Sequence, residues 1–164
     1  MNKEPARITN YRLAKENHDG ELPWVRITDF AKLRLKHPIV LVNGCFDLLH
    51  AGHWKTIFHA RRHGKTVVIA LDSDRLVNER KPDRPIMSWI ERATALGFTP
   101  ADYLVEIDSD KEFLQLVELL KPDLRVKGAE YRDKPSRIPE VPTLFIHESG
   151  MRTSEIIRRI QGAK

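Results

Sequence analysis

A single cysteine, Cys45, is present in a chain of 164 residues. That count rules out an internal disulfide framework and favours a reducing compartment. No apolar run approaches membrane-spanning length, and the N-terminus lacks the basic, apolar and small-residue sequence of a signal peptide. The expectation is a cytoplasmic protein with no membrane partner. Aromatic residues are only 7% of the chain and do not interleave with a basic stripe, so nucleic-acid binding is not expected. The G-x-G-x-x-G fingerprint of dinucleotide sites is missing. H-E-x-x-H and cysteine pairs are missing too, so no protein-ligated metal is expected. The segment "GKT" (Gly64–Thr66) is not a phosphate loop. Its pattern needs glycine at position 59, where His59 stands, and it precedes a strand instead of following one.

The composition is 41% hydrophobic and 31% charged, which fits one folded domain around one core. A formal charge of +5 and a pI near 9.4 favour anionic partners such as nucleotides or phosphorylated metabolites. A basic tail, "RRIQGAK" (Arg158–Lys164), supports a nucleic-acid module as a second functional class. A steep salt dependence of DNA or RNA affinity would favour that class.

Strand and helix patterns alternate along the chain. Ile39–Val42, Thr66–Leu71, Asp102–Ile107, Leu124–Gly128 and Thr143–Glu148 read as strands. Helical spacing covers Gly52–His63, Ile86–Leu96, Lys111–Leu120 and Thr153–Gln161, with stops at Gly64 and at Lys121–Pro122. Trp54 and Phe58 read as core on the first helix. Ile86, Trp89, Ile90 and Ala93 read as one face of the second, and Ile156, Ile157 and Ile160 as the inward face of the last. Strands apolar on both faces mean α/β: a Rossmann-like, doubly wound parallel sheet of about five strands in a single domain. Residues 1–36 are polar and weakly periodic and read as an N-terminal extension to a domain at 37–164. Within them "TDFAKLRL" is compatible with a short helix capped by Thr28 or Asp29. The proline-rich span Glu130–Pro142 reads as a loop.

The stretch "NGCFDLLHAGHWK" (Asn43–Lys55) joins the first strand to the first helix. Ligands of open α/β sheets bind beyond the carboxyl ends of strands, and a helix N-terminus attracts phosphate. His50 and His53, three apart, can face one side of that first turn. Two imidazoles there suit phosphoryl oxygens that gain charge in a transition state. Cys45 reads as a small buried residue.

These residues carry a resemblance. "GCFDLLHAGH" resembles the H-x-G-H signature of the cytidylyltransferase-like nucleotidyltransferase superfamily. "LDSD" (Leu71–Asp74), "KPDRP" (Lys81–Pro85) with Glu91–Arg92, "KPDLRVKGAEY" (Lys121–Tyr131) and "GMRTSEII" (Gly150–Ile157) resemble its later motifs, in family order. The likeness runs from about Ile39 to Gln161. The "NGCFD" start and the lysine of "VKG" are most similar to the adenylyltransferase branch of ADP-heptose synthesis. Arg-Thr before the closing motif, typical of glycerol-3-phosphate cytidylyltransferases, is replaced by His147–Glu148. Glu130 stands where aspartate is usual, and Arg152 where the closing motif has serine. Arg152 is also the one hint of a catalytically dead relative.

The resemblance implies transfer of a nucleoside monophosphate, AMP from ATP, to a heptose-type sugar 1-phosphate with release of pyrophosphate. The alternative is CTP with glycerol 3-phosphate. It implies catalytic roles for His50, His53 and Lys81. Asn43, Gly44, Cys45, Phe46, Gly52, Lys127, Thr153 and Ser154 would hold the nucleotide. Asp72, Arg84, Arg92 and Arg152 would bind the acceptor. Arg92 reads equally as an ion-pair residue on its helix. Asp47 would orient a histidine or a water. Mg²⁺ would arrive on the triphosphate and needs few protein ligands. The partners are the nucleoside triphosphate and the phosphorylated acceptor, and a homodimer is left open.

Overall fold

The computed structural model describes residues 7–10, 24–26, 35–147 and 152–162. The segment expected to form a helix at residues 28–35 falls almost wholly outside them. So do Gly150 and Met151 of the closing motif and His18.

The parallel strands are β3 (Ile39–Gly44), β4 (Thr66–Asp72), β5 (Tyr103–Ile107), β6 (Leu124–Gly128) and β7 (Thr143–Ile146). Two short strands, β1 (Arg7–Asn10) and β2 (Trp24–Arg26), add an antiparallel edge against β5, giving the order β2-β1-β5-β4-β3-β6-β7. The sequence pattern does not reveal β1 and β2. At four and three residues, they are too short for alternation to register.

The helices are α1 (Ala51–His63), α2 (Asp74–Arg80), α3 (Trp89–Gly97), α4 (Asp110–Leu120) and α5 (Thr153–Gly162). The strand residues alternate between two cores. Ile39 and Leu41 face a cluster with Phe113, Leu116, Val117 and Leu120 of α4 and Leu76 of α2. Val40 and Val42 face a cluster with Ile57 and Ala60 of α1 and Trp89, Ala93 and Leu96 of α3. Helices thus cover both faces of the sheet, and its central strands are apolar throughout.

Several helical expectations need correction. Helix α2 is seven residues long and was not read from the sequence. Helix α3 begins at Trp89 because Ser88 caps it with Glu91, in a reciprocal capping box. Ile86 therefore precedes the helix. Ile86 and Ile90 are exposed, while Trp89, Arg92, Ala93 and Leu96 are buried. On α1 the inward face is Gly52, Thr56, Ile57 and Ala60. Trp54 is half-buried and stacks on Phe58, which is 51% exposed. Neither belongs to the core. On α5, Ile156 and Ile157 are half-buried and Ile160 is 69% exposed.

Helix α1 ends where Gly64 passes close to β3. A Cβ there would lie 2.6 Å from Val40 Cγ2 and 3.0 Å from the Pro38 carbonyl oxygen. That space admits only glycine without a backbone shift.

The chain winds β3, β4, β5 to one side and then crosses to β6 and β7 on the other. The direction reverses between β3 and β6, which pair in parallel. A crevice opens beyond the carboxyl ends of strands at such a point.

Candidate functional site

A cleft of about 680 Å³ lies at that switch point. Asn43, Gly44, Cys45, Phe46, His50 and His53 form its wall at the end of β3, and Lys127 enters from the end of β6. Asp72, Lys81 and Arg84 line it from the β4–α3 connection, and Arg152, Thr153 and Ser154 from the start of α5. One cavity therefore collects residues spread over more than a hundred positions.

The histidines explain the unusual start of α1. His50 is the N-cap, and its Nδ1 accepts from the Gly52 amide at 3.2 Å. His53 Nδ1 in turn accepts from the His50 amide at 3.4 Å. This is a capping box built from two imidazoles in place of the usual serine and glutamate. The rings stack with centroids 3.8 Å apart. Because the His53 Nδ1 faces a backbone N–H, the proton of its neutral ring belongs on Nε2. Burial, and then the neighbouring His50, pushes the His53 imidazole down to about 3. His53 is therefore neutral at ordinary pH and offers an Nε2–H donor, not a cation.

Asp47 has a different task from the one expected. It is 1% exposed. Its carboxylate accepts from Arg84 Nε at 2.6 Å and from the Ile86 and Met87 amides at 2.9 and 3.0 Å. Its own carbonyl accepts from Thr153 Oγ1 at 2.8 Å. Burial alone would raise its pKa, but the two amides and Arg84 outweigh that and hold it below the ordinary value. Phe46 and Leu48 on either side adopt φ of 51° and 49°, a left-handed conformation uncommon for such residues. The tight loop thus ties β3 and α1 to the segment after Lys81 and to the start of α5.

Two expected contacts are corrected. Arg92 does not reach the cleft. Its fully buried guanidinium donates to the Cys45 and Met87 carbonyls and pairs with Asp74 at 2.7 Å. It braces the H-x-G-H loop from behind. Gly52 is buried within α1 and its amide is occupied by His50, so it is part of the cap.

The sequence reading passed over several residues that shape the cleft. Arg125, 4% exposed and behind the lining, donates from Nε to Asn43 Oδ1 at 3.0 Å and so orients that amide. Arg80, Asp110, Tyr131, Lys134 and Arg137 line the cleft itself. Lys127 Nζ sits 4.0 Å from the centre of the Tyr131 ring. Burial, and then Arg125 and Arg137, pull its pKa down to about 7. The charge-dense stretch just after "VKG" was the available signal, but it reads as a solvated loop. Burial raises the Cys45 thiol, leaving it protonated and a poor nucleophile. Among the described residues no group of three His, Cys, Asp or Glu could hold a metal ion. No helix among them is long and apolar enough to cross a membrane.

A cytidylyltransferase-like family model matches residues 41–159, the span that builds this sheet and cleft. The chain belongs to the cytidylyltransferase-like family. It is similar to the Bifunctional protein HldE of Campylobacter concisus (strain 13826), 42% identical over 134 residues, which cover 79% of this chain and 28% of that protein. The Bifunctional protein HldE of Helicobacter pylori (strain J99) is 35% identical over 154 residues, 91% of this chain and 33% of that one. The match thus spans about a third or less of these relatives. The fold is shared with the crystal structure of the lipopolysaccharide core biosynthesis protein from Thermoplasma volcanium GSS1. That likeness has a TM-score of 0.53 at 19% identity and covers 70% of this chain and 98% of that one.

Proposed function

We propose that residues 37–164 form a nucleotidyltransferase domain, with residues 1–36 as an extension. It transfers AMP from ATP to a heptose-type sugar 1-phosphate. An oxygen of the acceptor phosphate attacks the α-phosphorus in line, the bond from that phosphorus to the bridging oxygen breaks, and pyrophosphate leaves. No covalent enzyme intermediate is required.

The observation that carries this reading is the stacked histidine pair, whose Nδ1 atoms are held by backbone amides. It supplies a pre-oriented Nε2–H donor, that of His53, at a topological switch point. Donors already in place stabilise charge that develops in a transition state without reorganising. Lys81 adds a positive charge from an exposed turn, and Arg152, Thr153 and Ser154 bring a second anion site at the α5 N-terminus. Asp47 holds these segments in one frame, which serves the alignment of two mutually repelling anions.

Mg²⁺ fits this site as a companion of the nucleotide. Asp47 is filled by its three donors, and Mg²⁺ commonly binds through phosphates and waters with few protein ligands. When bound it would neutralise charge on the triphosphate oxygens.

The "VKG" lysine and the absence of Arg-Thr before the closing motif support ATP over CTP. The test is pyrophosphate release from ATP and from CTP, each with heptose 1-phosphate and with glycerol 3-phosphate. Turnover of ATP with the sugar phosphate is expected. Turnover confined to CTP with glycerol 3-phosphate would overturn the substrate assignment and leave the reaction class standing.

A further inference from the structure

One wall of the cleft has a charge pattern of its own. Arg80 donates to Asp72 Oδ2 at 3.3 Å and also to Asp110 Oδ1. Arg137 donates to the same Asp110 oxygen. The result is an alternating chain, Asp72–Arg80–Asp110–Arg137, along one wall. It is held there by structure behind it. The Arg137 guanidinium lies 5.0 Å from the centre of the buried Phe113 ring. The next residue, Ile138, is fully buried and pins an otherwise exposed loop.

Hydrogen-bonding capacity remains along this wall. Among the described residues, Asp72 Oδ1 and Asp110 Oδ2 accept no hydrogen bond, and Lys127 Nζ donates none. Asp72 is half-buried, so its carboxylate has little water to compensate. Burial accordingly raises its pKa.

The chemistry of a fitting ligand follows by exclusion. A phosphate placed here would meet Asp72 and Asp110. A quaternary or primary amine would meet Arg80, Lys127 and Arg137. Lys134 and Glu130, also on the lining, add one charge of each sign and change neither conclusion. A hydroxyl both donates and accepts, so a row of hydroxyls satisfies carboxylates and guanidinium groups together without upsetting the pairing.

We infer that the wall formed by Asp72, Arg80, Asp110 and Arg137 reads the neutral hydroxyls of a carbohydrate acceptor, whose phosphate faces the histidines. Arg80, Asp110 and Arg137 thereby set acceptor specificity. The inference rests on the nucleotidyl-transfer reading only for the name of the molecule that carries the hydroxyls.

The test is calorimetric and needs no turnover. Mannose 1-phosphate and glycerol 3-phosphate are titrated into the full chain with a non-hydrolysable ATP analogue present. Mannose 1-phosphate should bind more tightly by about tenfold, the worth of one charge-assisted hydrogen bond. Arg137→Ala and Asp110→Ala should each erase most of that preference while leaving binding of the ATP analogue unchanged. Both side chains are more than a third exposed, so neither variant threatens the fold. In steady state with heptose 1-phosphate, Arg137→Ala should raise the acceptor KM and leave the ATP KM alone. Tighter binding of glycerol 3-phosphate, or a sugar preference that survives both substitutions, would overturn the inference. If the sugar preference is present and sensitive to Arg137 but no acceptor supports pyrophosphate release, the proposed reaction falls and the hydroxyl site stands.

Discussion

Where β3 turns into α1, the carboxylate of Asp47 is filled by Arg84 and two backbone amides. Lys81, Arg152, the His53 Nε2–H group and the α5 N-terminus therefore face the cleft without a competing anion from that residue. Along the charged wall Asp72 and Asp110 share Arg80, and Asp110 also takes Arg137. The same residue types, arginine and aspartate, serve both regions. Pairing a carboxylate behind the wall leaves donors and a positive field in front of it, as phosphate requires. Pairing it along the wall leaves donors and acceptors interleaved, as hydroxyls require. What a charged cluster recognises thus depends less on its composition than on which side of the surface neutralises it.

The strongest way to break this contrast is to remove a histidine donor. His53→Ala should lower kcat on the order of a hundred-fold or more, the usual cost of losing a pre-oriented donor to developing charge. Apo stability should fall little, because the hydrogen bond that His53 gives up is a long 3.4 Å. Pyrophosphate release and thermal melting check the two halves. Because the His53 pKa is near 3, the pH profile of kcat should show no limb from this residue between pH 5 and 8. Near-normal turnover of the variant would remove His53 from the reaction.

Asp47 should show the opposite balance. Asp47→Ala leaves Arg84 and two amides without their acceptor in a buried site, and such a break costs on the order of 3–5 kcal/mol. Its folded pKa lies below the ordinary 3.8, which fixes the sign of the pH dependence. The contribution is fully present above about pH 4 and is lost as pH falls through the lower folded value. Melting curves should show wild type and Asp47→Asn converging on acidification. A gap that widens in acid would refute the assignment.

Lys81→Ala should have a smaller effect, weakening ATP binding about tenfold through one lost charge-assisted contact. Lys81 is exposed, so the apo melting temperature should not move. Unchanged ATP affinity with a destabilised apo protein would place Lys81 in the fold and not in the site.

The sheet was legible because its strands are short apolar runs with punctuated ends. Thr66–Leu71 and Leu124–Gly128 fall within one residue of the observed strands. The histidine region was legible because H-x-G-H is contiguous. Neighbours in space that lie far apart in sequence were not. The contacts of Asp47 with residues 84–87 and of Arg80 with Asp110 span about thirty or more positions, and no local pattern encodes them. Apolar spacing misled at Phe58, Ile90 and Ile160, because it marks a helix face without saying that anything covers it. Arg92 misled in the other direction. A charged residue on a helix suggests solvent or ligand, yet its guanidinium is wholly used inside the fold, on two carbonyls and Asp74.

Lys127 lines the same cleft and offers the finest test of the contrast. Its depressed pKa of about 7 means that the folded protein disfavours the ammonium form relative to an unfolded chain, where lysine titrates near 10.5. Between those values the unfolded state binds more protons, so this residue makes apo stability rise with pH from about 7 to about 10.5. A bound polyphosphate reverses the preference, because an anion nearby favours the charged form. Nucleotide binding at pH 8 should therefore take up a substantial fraction of one proton. Titrations of ATP in buffers of different ionisation enthalpy measure that number directly. Lys127→Met should abolish the uptake, and Lys81→Ala should leave it largely intact, because Lys81 sits in solvent. Equal uptake in wild type and Lys127→Met would show that the proton goes elsewhere. Uptake driven by mannose 1-phosphate alone and not by ATP would assign Lys127 to the acceptor's phosphate in place of the nucleotide's.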